Sequence, residues 1–224
     1  MAQIHRTTMR PTKLELLADW LPTRAWYAAG PGAPRPVRAG GFRLDDPAGE
    51  VGIEFMAVTD GEGPDAVAYL VPMTYRGEPL EGADEALIGT SEHGVLGTRW
   101  IYDGTHDPVL TRQSYALLAG RAVAQHQSVS DAVDPAVTAS LDAAATAGDA
   151  EPAGAADGPG GTDVRLLLPG DAGPLLLRFR RVLRPDTAED RHEADVLGRV
   201  TAEWTPAGTG GVPARGTCVT VHRA

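Results

Sequence analysis

The apolar positions of this chain change period several times, and each change marks an element. In PTKLELLADWLP, Leu14, Leu17, Ala18 and Leu21 recur at i, i+3, i+4 and i+7, the spacing of a buried helix stripe. Thr12 followed by Glu15 is a capping-box pattern at its start, and Pro22 ends it. VRAGGFRLD, EVGIEFMAVTDG and DAVAYLVPMTYRG then read as strands separated by Asp, Gly and Pro turn signals. In the second run Val51, Ile53, Phe55 and Ala57 alternate with Gly52, Glu54, Met56 and Val58, which predicts a half-buried antiparallel strand in a meander. Pro72 lacks a ladder donor, so the third strand is expected at an edge or at a bulge. After the loop GEPLEGADEAL, the alternation in VLGTRWIY predicts another strand. DPVLTRQSYALLAGRAVAQHQ predicts a second helix, with Asp107 as N-cap, Pro108 at the first position, and Tyr115, Leu118, Ala119, Ala122 and Val123 as its buried stripe.

From Ala122 to Val164 there is no lysine or arginine, and LDAAATAGDAEPAGAADGPGG has almost nothing to bury. Such a composition does not offset the entropy of ordering, so residues from about 138 to 162 read as a flexible acidic linker. Beyond it DVRLLLPG, GPLLLRFRRVLRP, DVLGRVTAEWTP and ARGTCVTVHR are strand-like; they make a second β unit or complete the first sheet. The expected fold is α+β: an N-terminal helix on a curved antiparallel sheet, a second helix, then a C-terminal antiparallel β unit. The corresponding divisions are residues 1–129, a linker over 130–162, and residues 163–224. With 224 residues and 42% hydrophobic content, the chain has enough material for one sizeable core or two small ones.

A formal charge of -10 argues against nucleic acid, whose phosphates the average surface would repel. Cys218 is the only cysteine, so no internal disulfide forms and no thiolate set holds zinc; it reads as a small apolar strand residue in a reducing cytoplasm. MAQIHRTTMRPTK has no signal-peptide core, and no run of about 18 apolar residues spans a membrane. A cytoplasmic protein is expected, with no membrane partner. Lys13 is the only lysine among 20 basic residues, and asparagine is absent.

The densest chemistry lies in SEHGVLGTRWIYDGTHDPV. Ser91, His93 and an aspartate have the residue types of a hydrolytic triad, but no nucleophile elbow surrounds the serine. The spacing of His93 and His106 matches no zinc motif, and no metal site is expected. Asp103-Gly104 is a turn dipeptide and Asp107 a helix cap, which gives both aspartates structural roles. His93, Arg99 and Trp100 stay without a firm structural assignment. Trp26 and Tyr27, beyond the helix-ending proline, are either core or a sugar-stacking platform. Arg178, Arg180, Arg181 and Arg184 read as solvated strand charge, with a phosphate or acidic partner as the alternative.

LADWLPTRAWY, IEFMAVTDG and YLVPMTYRGEPLEGADEALIGTSEHGVLGTRWIYDGTHDPV together resemble the N-terminal cap domain of actinobacterial maltokinases and free-standing cap-like proteins, over roughly residues 12 to 127. The resemblance implies a helix packed on a curved antiparallel sheet, similar to a cystatin-like fold. Full maltokinases use ATP to phosphorylate maltose in a pathway linking trehalose to α-glucan, with the chemistry in a kinase-like body after the cap. That chemistry commonly uses a catalytic-loop asparagine, and this chain has none; Lys13 is committed to the first helical turn and no D-F-G-like motif occurs. LLLRFRRVLRPD resembles the strand carrying the ATP-contacting lysine, with Arg178 in its place, and a planar fork does not replace a compact ammonium. The resemblance therefore implies a non-catalytic accessory protein without a cofactor, binding a protein partner in glucan or trehalose metabolism, or maltose or maltodextrin. The alternative is an ATP-dependent maltose or amino-sugar kinase, or a degenerate fragment of one. Candidate binding residues are Trp26, Tyr27, His93, Arg99, Trp100 and Arg178.

Overall fold

The computed structural model describes residues 9–28, 30, 32–129, 132–170, 173–191 and 193–224. The expectation for the extreme N-terminus falls largely on residues 1–8, outside this set. Fourteen strands and three short α-helices occur among the described residues: β1 (Met9–Arg10), α1 (Lys13–Trp20), β2 (Val37–Leu44), β3 (Gly52–Asp60), β4 (Val67–Arg76), β5 (Leu87–His93), β6 (Gly97–Asp103), α2 (Pro108–Leu118), β7 (Gln125–His126), β8 (Thr138–Leu141), β9 (Glu151–Gly158), β10 (Gly161–Leu167), β11 (Leu175–Phe179), β12 (Val182–Leu183), α3 (Ala188–Arg191), β13 (Gly198–Trp204) and β14 (Ala214–Arg223). All strands join one antiparallel sheet of order β1-β5-β6-β4-β3-β2-β13-β14-β11-β10-β9, with β12 on β4, β7 on β2 and β8 on β13. The fold is α+β and dominated by β structure.

α1 forms where the apolar spacing predicts it. Thr12 accepts from the Glu15 N–H, the Glu15 carboxylate accepts from the Thr12 N–H at 2.7 Å, and a 3₁₀ turn over Leu21–Thr23 follows. Its buried face, Leu17, Trp20 and Leu21, lies on Met56, Val58, Val71, Met73 and Ile101 of the sheet. The opposite faces of β2, β3 and β4 pack Phe42, Ile53, Phe55 and Leu70 against Leu110, Tyr115 and Leu118 of α2 and against Leu177, Phe179, Val200 and Val221. One apolar cluster thus draws side chains from both halves of the chain, and the sheet doubles around it. β3 is consequently buried on both faces, not half-buried as its alternation suggests, because α1 covers the second face.

α2 is shorter than expected. Gly120 takes a left-handed conformation (φ 70) just past the helix, its N–H donates to the Leu117 carbonyl, and the Arg121 N–H donates to Ala116, so the chain turns away and later forms β7. Val123, expected in the buried stripe, is 56% exposed. Pro72 lies in a central strand, opposite Phe55 of β3. Its missing donor falls on the other edge of β4, because the Leu70 N–H, two residues earlier, points that way to the Arg181 carbonyl at 2.8 Å. There β4 changes partner, pairing with β12 at Ala68 and Tyr69 and with β6 from Met73 onward, so no neighbour asks Pro72 for a hydrogen bond.

The Ala/Gly-rich segment expected to be a flexible linker is instead part of the sheet. β8 pairs with β13 from Thr138 to Leu141, and β9 pairs with β10. Backbone pairing and a few anchors replace the absent apolar side chains: Tyr115 Oη accepts from the Ala147 N–H at 2.9 Å, and Arg215 donates to the Ala136 carbonyl at 2.6 Å and to Thr138 Oγ1 at 2.8 Å. The C-terminal strands are continuous with the first sheet through the Trp204–Gly40 pair and through β12.

Gly161 shows how tightly the β9–β10 hairpin is seated. Its φ is 136, and a Cβ there would lie 2.1 Å from the Phe179 carbonyl oxygen. Gly161→Ala is expected to lower unfolding stability by about 1–3 kcal/mol in urea titration. An unchanged midpoint and slope would mean that this segment is loosely attached after all.

Candidate functional site

Two polar clusters lie on the α1 side of the sheet, and neither is confined to one stretch of sequence. The first surrounds Glu54, which is 4% exposed in the middle of β3. Lys13, at the first turn of α1, donates from Nζ to both carboxylate oxygens, at 2.7 and 3.1 Å. The Tyr75 hydroxyl and the Gln127 amide donate to the same carboxylate, and Gln127 Oε1 accepts from Arg38 Nε at 2.9 Å. Gly41 makes room for this arrangement, since Gln127 Nε2 lies 3.1 Å from where its Cβ would stand. Burial pushes the Glu54 carboxyl upward, but the Lys13 charge and the hydrogen bonds outweigh it and hold it below the ordinary carboxylate value. Burial and the adjacent Glu54 charge push Tyr75 well above the ordinary phenol value.

The second cluster surrounds Arg181, expected among solvated strand charges but fully buried. Nη2 donates to the two oxygens of Asp103 at 2.6 and 2.8 Å and to Thr105 Oγ1 at 3.0 Å, and Nε donates to Thr162 Oγ1 at 2.8 Å. Its Nη1 has no hydrogen-bond partner among the described residues, but the guanidinium lies 5.0 Å from the Trp26 ring centroid, so the indole face supplies electrostatic contact. Trp26 also meets Trp20 edge-on at 5.7 Å and Tyr69 at 6.0 Å.

The six candidate residues from the sequence do not converge on one site. Trp26 is 3% exposed inside the cluster just described. Tyr27 beside it is half-buried, stacks obliquely on Tyr69 and donates to Asp60 at 2.7 Å; burial first, then that hydrogen bond, raises its phenol above the ordinary value. His93 caps the β5–β6 turn, Nδ1 accepting the Leu96 N–H at 3.0 Å and the Val95 N–H at 3.3 Å. Arg99 donates to the Leu96 carbonyl at 2.6 Å, and the absent side chain of Gly77 leaves space for its Nη1. Trp100 points to the other face of β6, against a small cluster of Ala83, Ala86 and Tyr102. Arg178 stands on the second half of the sheet, held by Asp163 at 2.8 and 2.9 Å, and that pairing raises its ordinary value.

Sequence reasoning missed Glu54, Tyr75 and Gln127 as centres of interaction, and it named Arg181 only within a run of strand arginines. A carboxylate inside the apolar run GIEFMAV and the single lysine of the chain were the available signals for the first cluster. Among the described residues no group of three or more His, Cys, Asp or Glu side chains is placed to hold a metal. No helix among them is long and apolar enough to cross a membrane.

The depressed Glu54 value fixes a pH dependence. A carboxyl depressed by folding contributes stability that is present above its unfolded value and lost as pH falls through its folded value. The stability gap between the wild type and Glu54→Gln is therefore expected to be constant at neutral pH and to shrink below about pH 4.3, read by urea unfolding across a pH series. Lys13→Met is expected to cost about 2–3 kcal/mol at neutral pH. A gap that does not respond to acid would contradict the assigned charge state.

The family model described as the maltokinase N-terminal cap domain matches residues 20–107, from the last residue of α1 to the Asp107 cap. No curated protein matches the chain. The match takes in Trp26, Glu54, Tyr75 and Asp103 but leaves out their partners Lys13, Gln127 and Arg181. Residues 20–107 of this chain are a maltokinase N-terminal cap domain.

Proposed function

We propose that the chain is an accessory binding module of maltose, trehalose or α-glucan metabolism, whose cap domain engages a protein partner, with carbohydrate as the second class of ligand. The observation that carries this reading is how the reactive side chains within the cap match are used. The Ser91 hydroxyl donates to the Pro11 carbonyl at 2.7 Å, His93 Nδ1 caps a turn, and Asp103 and Asp107 are held by Arg181 and Arg76. Outside the match, burial pushes the Cys218 thiol up to about 12, far from a nucleophile's range. Arg178, the residue that resembles a nucleotide-contacting lysine, has its charge matched by Asp163 in its own sheet, which supports the accessory reading over the kinase alternative.

The purified chain should bind an actinobacterial maltokinase body lacking its own cap, or maltodextrin, with saturation in isothermal titration, and should not transfer phosphate from ATP to maltose or glucosamine. Sugar-dependent consumption of ATP by the chain alone would establish the kinase alternative. Absence of binding to both ligands at millimolar concentration would overturn the proposal.

A further inference from the structure

α1 covers the outer face of β3, β4, β6 and β5, but the same face of β2 and of the adjoining segments 124–127 and 132–134, which pair with each other, lies beyond it. A bulge between Arg38 and Gly40 shifts the register so that Arg38 stands opposite Val58, Gly41 opposite Met56 and Arg43 opposite Glu54. Val58, Met56 and Glu54 all point to the α1 side, so both arginines do too, with a glycine between them. Their charges lack the usual answer. Arg76, Arg178, Arg181 and Arg184 each meet a carboxylate at 2.6 to 2.8 Å. Arg38 meets only the neutral Gln127 amide, and Arg43 makes no ion pair among the described residues. The Glu54 carboxylate opposite Arg43 is already engaged by Lys13, Tyr75 and Gln127. In a chain with 30 acidic and 20 basic residues, two arginines on one stretch of sheet face without an ion pair among the described residues make a local cationic patch on an acidic molecule.

The same face carries apolar groups in the open. Val123, next to the buried Ala124, is 56% exposed, and Val133, opposite Gln125 in an antiparallel bridge, is 62% exposed. Gln125 itself points to this side, where it donates to Asp45 at 2.6 Å.

We propose that this open half of the outer face docks an acidic segment of a protein partner, its carboxylates read by Arg38 and Arg43 and its apolar side chains seated on Val123 and Val133. The assignment rests on the partner-binding reading above and names the face that performs it. Charge complementarity selects the acidic segment, and the exposed valines select a peptide over a small oxyanion, which has no use for apolar contact.

A capped peptide alternating Glu with Leu, titrated calorimetrically into the full chain, tests the assignment. Arg38→Gln with Arg43→Gln should weaken binding about tenfold, and raising salt to about 0.5 M should weaken the wild type in the same direction. Val133→Ser should also weaken it, Arg165→Gln on the other half of the sheet should not, and a matching Lys/Leu peptide should not bind. The double variant must keep the wild-type thermal midpoint; if it does not, Arg43→Gln alone, which removes no hydrogen bond, serves as the readout. Undiminished binding in a folded variant overturns the proposal, as does displacement of the peptide by millimolar inorganic phosphate. A wild-type dimer that the double variant abolishes overturns it too, in favour of a second copy. If the double variant still binds the maltokinase body as the wild type does, this face is wrong while the binding function stands; if the wild type binds neither body nor maltodextrin, the functional reading itself fails.

Discussion

The buried ion pair of Arg181 and Asp103 is the constraint around which the two halves of this chain are arranged. Both side chains are essentially inaccessible to water, and taking two charges out of water is repaid only when geometry is good and the remaining donors and acceptors are engaged. Here both Asp103 oxygens, Thr105, Thr162 and the face of Trp26 contribute. The pair sits where β4 exchanges β12 for β6, the one place along that strand where Pro72 leaves a ladder position without a donor. The interruption of the ladder and the ionic contact therefore serve one geometry: they admit the chain after β11 to the edge of the cap's central strand.

The cap match ends at residue 107, yet the cap's packing does not. Its inner face is closed by α2 and by β11, β13 and β14, and Asp103 and Glu54 find their charged partners outside the matched residues. A carboxylate buried in the cap would be costly without Arg181 or Lys13, so the flanking sequence is part of the physical requirement for this cap to fold.

Much of this was legible from local pattern. The α1 stripe and its capping box, the Asp107 cap and most long strands follow from spacing and turn residues alone. What was not legible depends on residues far apart. β9 is ordered by backbone pairing with β10, and a sequence of alanine and glycine carries no mark of that. β3 alternates like a half-buried strand because nothing in its own residues announces the helix on its other face. Arg181 looks like its neighbours Arg178, Arg180 and Arg184, since only the fold brings Asp103 to it, 78 positions away. Three of the six candidates, His93, Arg99 and Trp100, lie in one crowded stretch that proves to be a hairpin and two caps, while the Glu54 network is assembled from α1, three strands and Gln127 just after β7.

If the Arg181–Asp103 contact and the shared apolar cluster join the matched cap and the C-terminal strands into one body, heat must melt them together. Differential scanning calorimetry of the full chain is then expected to show a single transition whose van't Hoff and calorimetric enthalpies agree. Two resolved transitions, with Asp103→Asn shifting only one of them, would contradict the account.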